Sequence, residues 1–142
     1  SPKIGAEIPL PSYATAGSAG MDLRACIDAP ITIQPRERVK VPPGFAIALP
    51  GPEYAAFIFA RSGLGNNYGV TLPNCVGVVD SDYRGEIIVA LTNLSDEAYT
   101  IQPGDRVAQL VIMPVAQANI TVTDTLDDTE RGAGGFGSTG RQ

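Results

Sequence analysis

The stretch "GVVDSDYRGE" at 77 to 86 sets Asp80 and Asp82 around a tight strand-to-strand turn, with Tyr83 beside them and Gly85 closing it. A carboxylate can orient and deprotonate a water, although with a reference pKa of about 3.9 it acts at neutral pH mainly by positioning. The same aspartates also suit a plain hairpin, where they bond to backbone N–H groups. "ARSGLG" at 60 to 65 brings Arg61 and Ser62 out at the end of an apolar strand, and Gly63 lets backbone N–H groups face an anion. Such a nest suits phosphate, with an ordinary turn as the alternative. "AGMDLRA" places Asp22 just after Gly20 at a strand start, and "GDRVAQLV" sets the polar Gln109 in an otherwise apolar strand.

The tail "RGAGGFGSTG" at 131 to 140 holds five of the chain's 16 glycines. A spacer needs only Gly and Ser, yet here Arg131 offers a cationic fork, Phe136 an aromatic face, and Ser138 and Thr139 two hydroxyls. Gly132, Gly134 and Gly137 match G-x-G-x-x-G in form. That dinucleotide motif needs a strand before it and a helix after it, and only five residues follow Gly137.

The 142 residues contain no histidine. This removes Ser-His-Asp triads, Cys-His pairs, His zinc sites and imidazole shuttles together, so any catalytic base is a carboxylate or similar. Ten basic against 15 acidic residues give a net charge of −5, which opposes attraction to a nucleic-acid backbone. No apolar run approaches the roughly 20 residues that span a bilayer, so no membrane partner is expected. Cys26 and Cys75 lack a C-x-x-C spacing and read as ordinary buried thiols. A reducing compartment fits them, the cytoplasm if the source is bacterial. Ser1 in place of Met points to a removed start residue, leader or tag.

The elements that must carry these groups are short. Ten apolar runs rich in Val, Ile, Tyr and Phe ("MDLRAC", "ITI", "RVKV", "FAIAL", "YAAFIFA", "GVTL", "GEIIVALTNL", "YTI", "RVAQLVIM" and "ANITVT") are separated by Pro and Gly breaks. They predict about ten short strands in an all-β sandwich or jelly roll, with a short helical turn only after Arg61. "IQPRERV" at 33 to 39 returns as "IQPGDRV" at 101 to 107, which predicts two similar turns with Pro in second place. The expected body is 1–123, followed by an arm over 124–142 without apolar periodicity.

In order, A-G-x-D-L, R-S-G, N-x-V-G-x-V-D-x-D-Y-x-G, G-D-R-x-A-Q and R-G-x-G-G-F-G-S-T-G resemble the five motifs of the trimeric deoxyuridine triphosphatases. The resemblance runs from Ala19 to Gly140. It implies a jelly-roll homotrimer that uses magnesium to cleave dUTP to dUMP and pyrophosphate, keeping uracil out of DNA and supplying dUMP for thymidylate synthesis. Each active site would draw on all three subunits. On that pattern Asp80 orients the water that attacks the α-phosphorus, and Asp22 reaches magnesium through a water while the triphosphate holds the ion. Arg61, Ser62, Gly63 and Gln109 look like the phosphate cradle. Asn74 and the backbone of Gly77, Val78 and Val79, with a facing strand near Ile88, look like the uracil pocket, and Tyr83 resembles the aromatic that packs on the deoxyribose. The arm would then close, with Phe136 over uracil and Arg131, Gly137, Ser138 and Thr139 on the phosphates.

Two departures stand out, since Ala60 occupies a place where relatives often have Pro, and "GLGNNYG" follows the second motif where a basic residue or His is common. Two other readings stay open at this level. Deoxycytidine triphosphate deaminases share the fold but depart from D-x-D-Y-x-G, and a non-enzymatic β-sandwich could swap its tail onto a neighbour.

Overall fold

The computed structural model describes residues 1–135, in which nine strands and one short helix form. The strands are β1 (Met21–Arg24), β2 (Ile31–Ile33), β3 (Arg38–Val41), β4 (Tyr54–Phe59), β5 (Val70–Thr71), β6 (Val76–Val79), β7 (Val89–Asn93), β8 (Tyr99–Ile101) and β9 (Arg106–Pro114); α1 is Ser62–Tyr68. All pairings between these strands are antiparallel. They give one sheet of order β1-β9-β4-β6, a β2-β8 ribbon and a β3-β7-β5 sheet. The inward faces supply a single core in which Leu23, Ile33, Val41, Leu91, Ile101 and Leu110 are fully buried. At about 1.5–3 kcal/mol for each large apolar side chain, this interleaving of distant strands holds the jelly-roll-like sandwich together.

The nine-residue β9 positions the site. It pairs with β1 on one side and β4 on the other, so Gln109 stands opposite Asp22 and also opposite Phe59. Gly20 allows this approach, because a Cβ there would lie 3.1 Å from Val111 and 3.2 Å from the Gln109 amide oxygen.

The predicted echo is two turns of one design. Pro35 and Pro103 take second place, Arg36 (φ 68°) and Gly104 (φ 83°) take the left-handed third place, and the Glu37 and Asp105 N–H groups donate back to Gln34 O and Gln102 O. Each acidic side chain then accepts the N–H of the turn's first residue at 2.8 Å.

The strand expectations need three corrections. "FAIAL" keeps a period-two burial pattern and "ANITVT" lies exposed, yet neither is a strand, since neither finds a partner row among the described residues. Val76–Val79, by contrast, is the strand expected to lead into Asp80, with β4 alongside it. The run "GEIIVALTNL" enters its strand only at Val89. Both cysteines are free thiols, as expected, but they are not buried: Cys26 is half-buried, and Cys75 is exposed in a turn at φ 63°. The helical turn after Arg61 is present as α1. It is anchored by buried Leu64 and ended by Gly69 (φ 66°), where a Cβ would meet the Ser95 backbone nitrogen at 2.9 Å.

Candidate active site

Asn74, Gly77, Val78, Val79, Asp80, Tyr83 and Ile88 line one cleft of about 270 Å³. The backbone of β6 forms its wall, and Gly77 lets that wall pack on β4, since a Cβ would lie 3.1 Å from Ile58. Val78 and Ile88 are exposed at 63% and 43%, which leaves apolar surface for a ligand to cover. Asp80 follows the last residue of β6 and is open to solvent. Tyr83 is pinned beside it by donating its hydroxyl to Glu86 O at 3.1 Å. The expected hairpin is not there, since the turn spans Asp80–Tyr83 and the chain then runs on irregularly to a strand of another sheet. Gly85, beyond the turn, has a spatial task instead, because the Tyr83 phenol passes through the space its Cβ would fill. Ile88 lies one residue before β7, on an irregular segment rather than on a strand facing β6.

Asp22, Arg61 and Gln109 form a second group. Arg61 Nε donates to Asp22 Oδ1 at 2.9 Å and its Nη1 to Arg106 O at 3.3 Å. Arg106 Nη1 donates to Asp22 Oδ2 at 3.3 Å. Gln109 Nε2 donates to Ala60 O at 3.0 Å, which ties β9 to the residue before Arg61. Arg61, Gly63 and Arg106 line an opening that also includes Tyr68, Tyr99 and Asp105. Burial first, then the Asp105 carboxylate and Tyr68, push the Tyr99 phenol above its ordinary value. Ser62 is the exposed first residue of α1.

The two groups lie apart within one chain. Val79 pairs with Ala56 near the start of β4, whereas Arg61 follows the end of that strand. Asp80 therefore falls level with Ala55, and the six residues from there to Arg61 amount to about 20 Å at 3.3 Å per residue. Arg131 is exposed and donates from Nε to Gly134 O at 2.8 Å, within its own turn. Phe136, Gly137, Ser138 and Thr139 lie outside the described residues.

Ile58, Glu86 and Ile87 also line the cleft, and Arg106 grips Asp22, although none of the four is among the site residues expected from sequence. For Arg106 a signal was present, an arginine in G-D-R-x-A-Q three residues before Gln109. The others come to the cleft through tertiary packing.

These features define a small antiparallel β-sandwich with an apolar cleft lipped by a carboxylate and a separate arginine-lined opening. Residues 6–140 match the dUTPase family model. A deoxyuridine 5'-triphosphate nucleotidohydrolase of Aeromonas salmonicida is 54% identical over 140 residues, covering 99% of this chain and 92% of the relative. Among solved structures, a Staphylococcus bacteriophage 80alpha dUTPase with dUPNHPP superimposes with a TM-score of 0.86 at 22% identity, over 96% of this chain and 95% of the other. A mutant dUTPase from phage phi11 of S. aureus, described for its coordination of a structural Mg(II) ion, has a TM-score of 0.74 at 19% identity, over 85% and 93% of the two chains. The chain belongs to the dUTPase family.

Proposed function

We infer that this protein hydrolyses dUTP to dUMP and pyrophosphate as a homotrimer with shared active sites. The observation that carries this reading is the cleft that gathers Asn74, Gly77, Val78, Val79, Asp80 and Tyr83 in a member of the dUTPase family. Uracil fits against the β6 backbone, whose fixed amide and carbonyl groups match its pairing edge. Cytosine reverses that donor and acceptor pattern and would leave groups unpaired. Val78 and Ile88 pack where the C5 methyl of thymine would go. Tyr83, held by its bond to Glu86, covers the deoxyribose and leaves no room for a 2′-hydroxyl.

Asp80 orients the attacking water toward the α-phosphorus, a displacement governed by positioning and charge stabilisation. Arg61, Ser62, Gly63 and Gln109 of a neighbouring subunit supply donors to the phosphates. The register supports that division, because Arg61 of the same chain lies about 20 Å from Asp80 along β4. Body 1–123 carries these groups, and arm 124–142 closes with Phe136 over the base and Arg131, Gly137, Ser138 and Thr139 on the phosphates.

The donor set suits magnesium carried in on the substrate. Among the described residues no three carboxylates or thiols converge, and both Asp22 oxygens already accept from arginines, which favours contact through a water over direct ligation. Magnesium on the triphosphate supplies charge neutralisation there.

Incubation with magnesium and, separately, dUTP, dCTP, dTTP and UTP tests the reading. Pyrophosphate from dUTP alone is the expected result. Ammonia from dCTP, or no product from folded protein with its arm intact, would overturn it.

A further inference from the structure

Asp22 is the only carboxylate among the described residues that bridges two arginines, and the two occupy its two oxygens separately. Its side chain and that of Arg61 are both largely covered, at 32% and 24% exposure, whereas Arg106 is half exposed. A carboxylate this close to a phosphate-binding arginine has two tasks that conflict. It must hold the guanidinium in one orientation, yet it must not swing toward the incoming polyanion or pull the arginine with it. A second cation on the far oxygen resolves the conflict, since it fixes the carboxylate plane and offsets its charge.

We propose that Arg106 is a positioning residue for dUTP hydrolysis: it clamps Asp22 so that Asp22 aims the Arg61 guanidinium at the phosphates. This rests on the functional reading above. The backbone supports the division of labour. Asp22 and Gln109 are direct cross-strand partners, and the register shift between Leu23 and Arg24 sets Arg106 three residues back along β9, on the rim of the opening that Arg61 lines. Arg61 Nη1 in turn donates to the Arg106 carbonyl. With Nε and Nη1 both engaged, Nη2 is the Arg61 nitrogen with no hydrogen-bond partner among the described residues. Arg106 thus reaches Arg61 twice, through its main chain and through Asp22. The link from Arg106 to phosphate is indirect.

Two readouts separate this role from a structural one. Kinetically, Arg106→Gln should lower kcat about tenfold with KM changed by less than about threefold, and Arg106→Lys should restore most of the loss. Combined with Asp22→Asn, the Gln variant should cost nothing further, because both changes break the same link. A rise in KM with kcat kept, or losses that multiply in the double variant, would overturn the proposal in favour of direct phosphate contact. Full activity in Arg106→Gln would overturn it outright. Spectroscopically, the Arg61 Nε–H resonance, shielded from exchange by Asp22 in the wild type, should broaden in Arg106→Gln while the melting temperature and the other arginine signals stay in place. An unchanged Arg61 signal would sink the proposal even if the wild type turned over no dUTP, so the failure of this idea and that of the functional reading look different. If Arg106→Gln does not fold, the same cycle and spectrum run on Arg106→Lys decide it: the expected result is a smaller kcat loss that does not add to Asp22→Asn, and an additive loss overturns the proposal.

Discussion

Gly85 and Tyr83 act as a unit. The phenol lies across the position of the missing Cβ and donates to Glu86 O, so the ring is held at the cleft by a bond on one side and by an empty space on the other. Gly85→Ala would displace the free end of the tyrosine side chain rather than the backbone, a shift the exposed turn can absorb. The expected outcome is a folded enzyme with weakened sugar discrimination. Its kcat/KM for UTP relative to dUTP should rise about tenfold, the value of roughly 1.4 kcal/mol of lost steric exclusion. Steady-state rates on the two nucleotides check this. The motif letters place Asp80, Asp82 and Gly85 in one tight strand-to-strand turn. The turn instead closes at Tyr83, whose N–H donates to Asp80 O, Gly85 lies beyond it, and β6 and β7 belong to different sheets. The sequence could not show that the lack of a side chain at Gly85 serves Tyr83, since that depends on where a ring folds back in space.

At the scale of elements, what was legible followed local chemistry. Two prolines in matching heptapeptides forecast two matching turns, and both formed, with left-handed third residues Arg36 and Gly104. Gly104 has open space around its absent Cβ, so Gly104→Ala meets no clash and pays only for its φ of 83°. A loss of about 1 kcal/mol is expected by denaturant titration, with dUTP turnover kept. What was not legible depended on partners. "ANITVT" has the composition and alternation of a strand, and Ile120 and Val122 are exposed at 87% and 94% because no neighbouring row receives them among the described residues. "GEIIVALTNL" reads as one strand from its start, yet only Val89–Asn93 finds partner rows, in β3 and β5. Asn93 is a third case: the sequence left it inside an apolar run, whereas it is fully buried and bonds to Ile33 O, Glu97 O and Ser95, joining three segments.

For the molecule as a whole, pH offers one test of the packing. Tyr99 holds its proton more tightly when folded, chiefly because burial disfavours the phenolate. Its unfolded value is about 10 and its folded value is higher, so the associated stability is complete below about pH 10 and is lost as pH rises through the folded value. Melting temperatures should therefore fall on the alkaline side, and Tyr99→Phe should flatten that fall. Assembly offers the stronger test. Asp80 and Arg61 lie toward opposite ends of β4, and a single phosphate chain cannot engage both within one subunit across about 20 Å. If sites are shared, two inactive variants should rescue each other. Asp80→Asn chains keep Arg61, Arg61→Ala chains keep Asp80, and in randomly mixed trimers about one site in four joins an intact Asp80 to an intact Arg61. Unfolding the two variants together and refolding them should recover about a quarter of wild-type turnover, whereas each refolded alone stays inactive. No recovery from mixed trimers of verified composition would place both residues in one subunit's site, and the division of labour between subunits would fail with it.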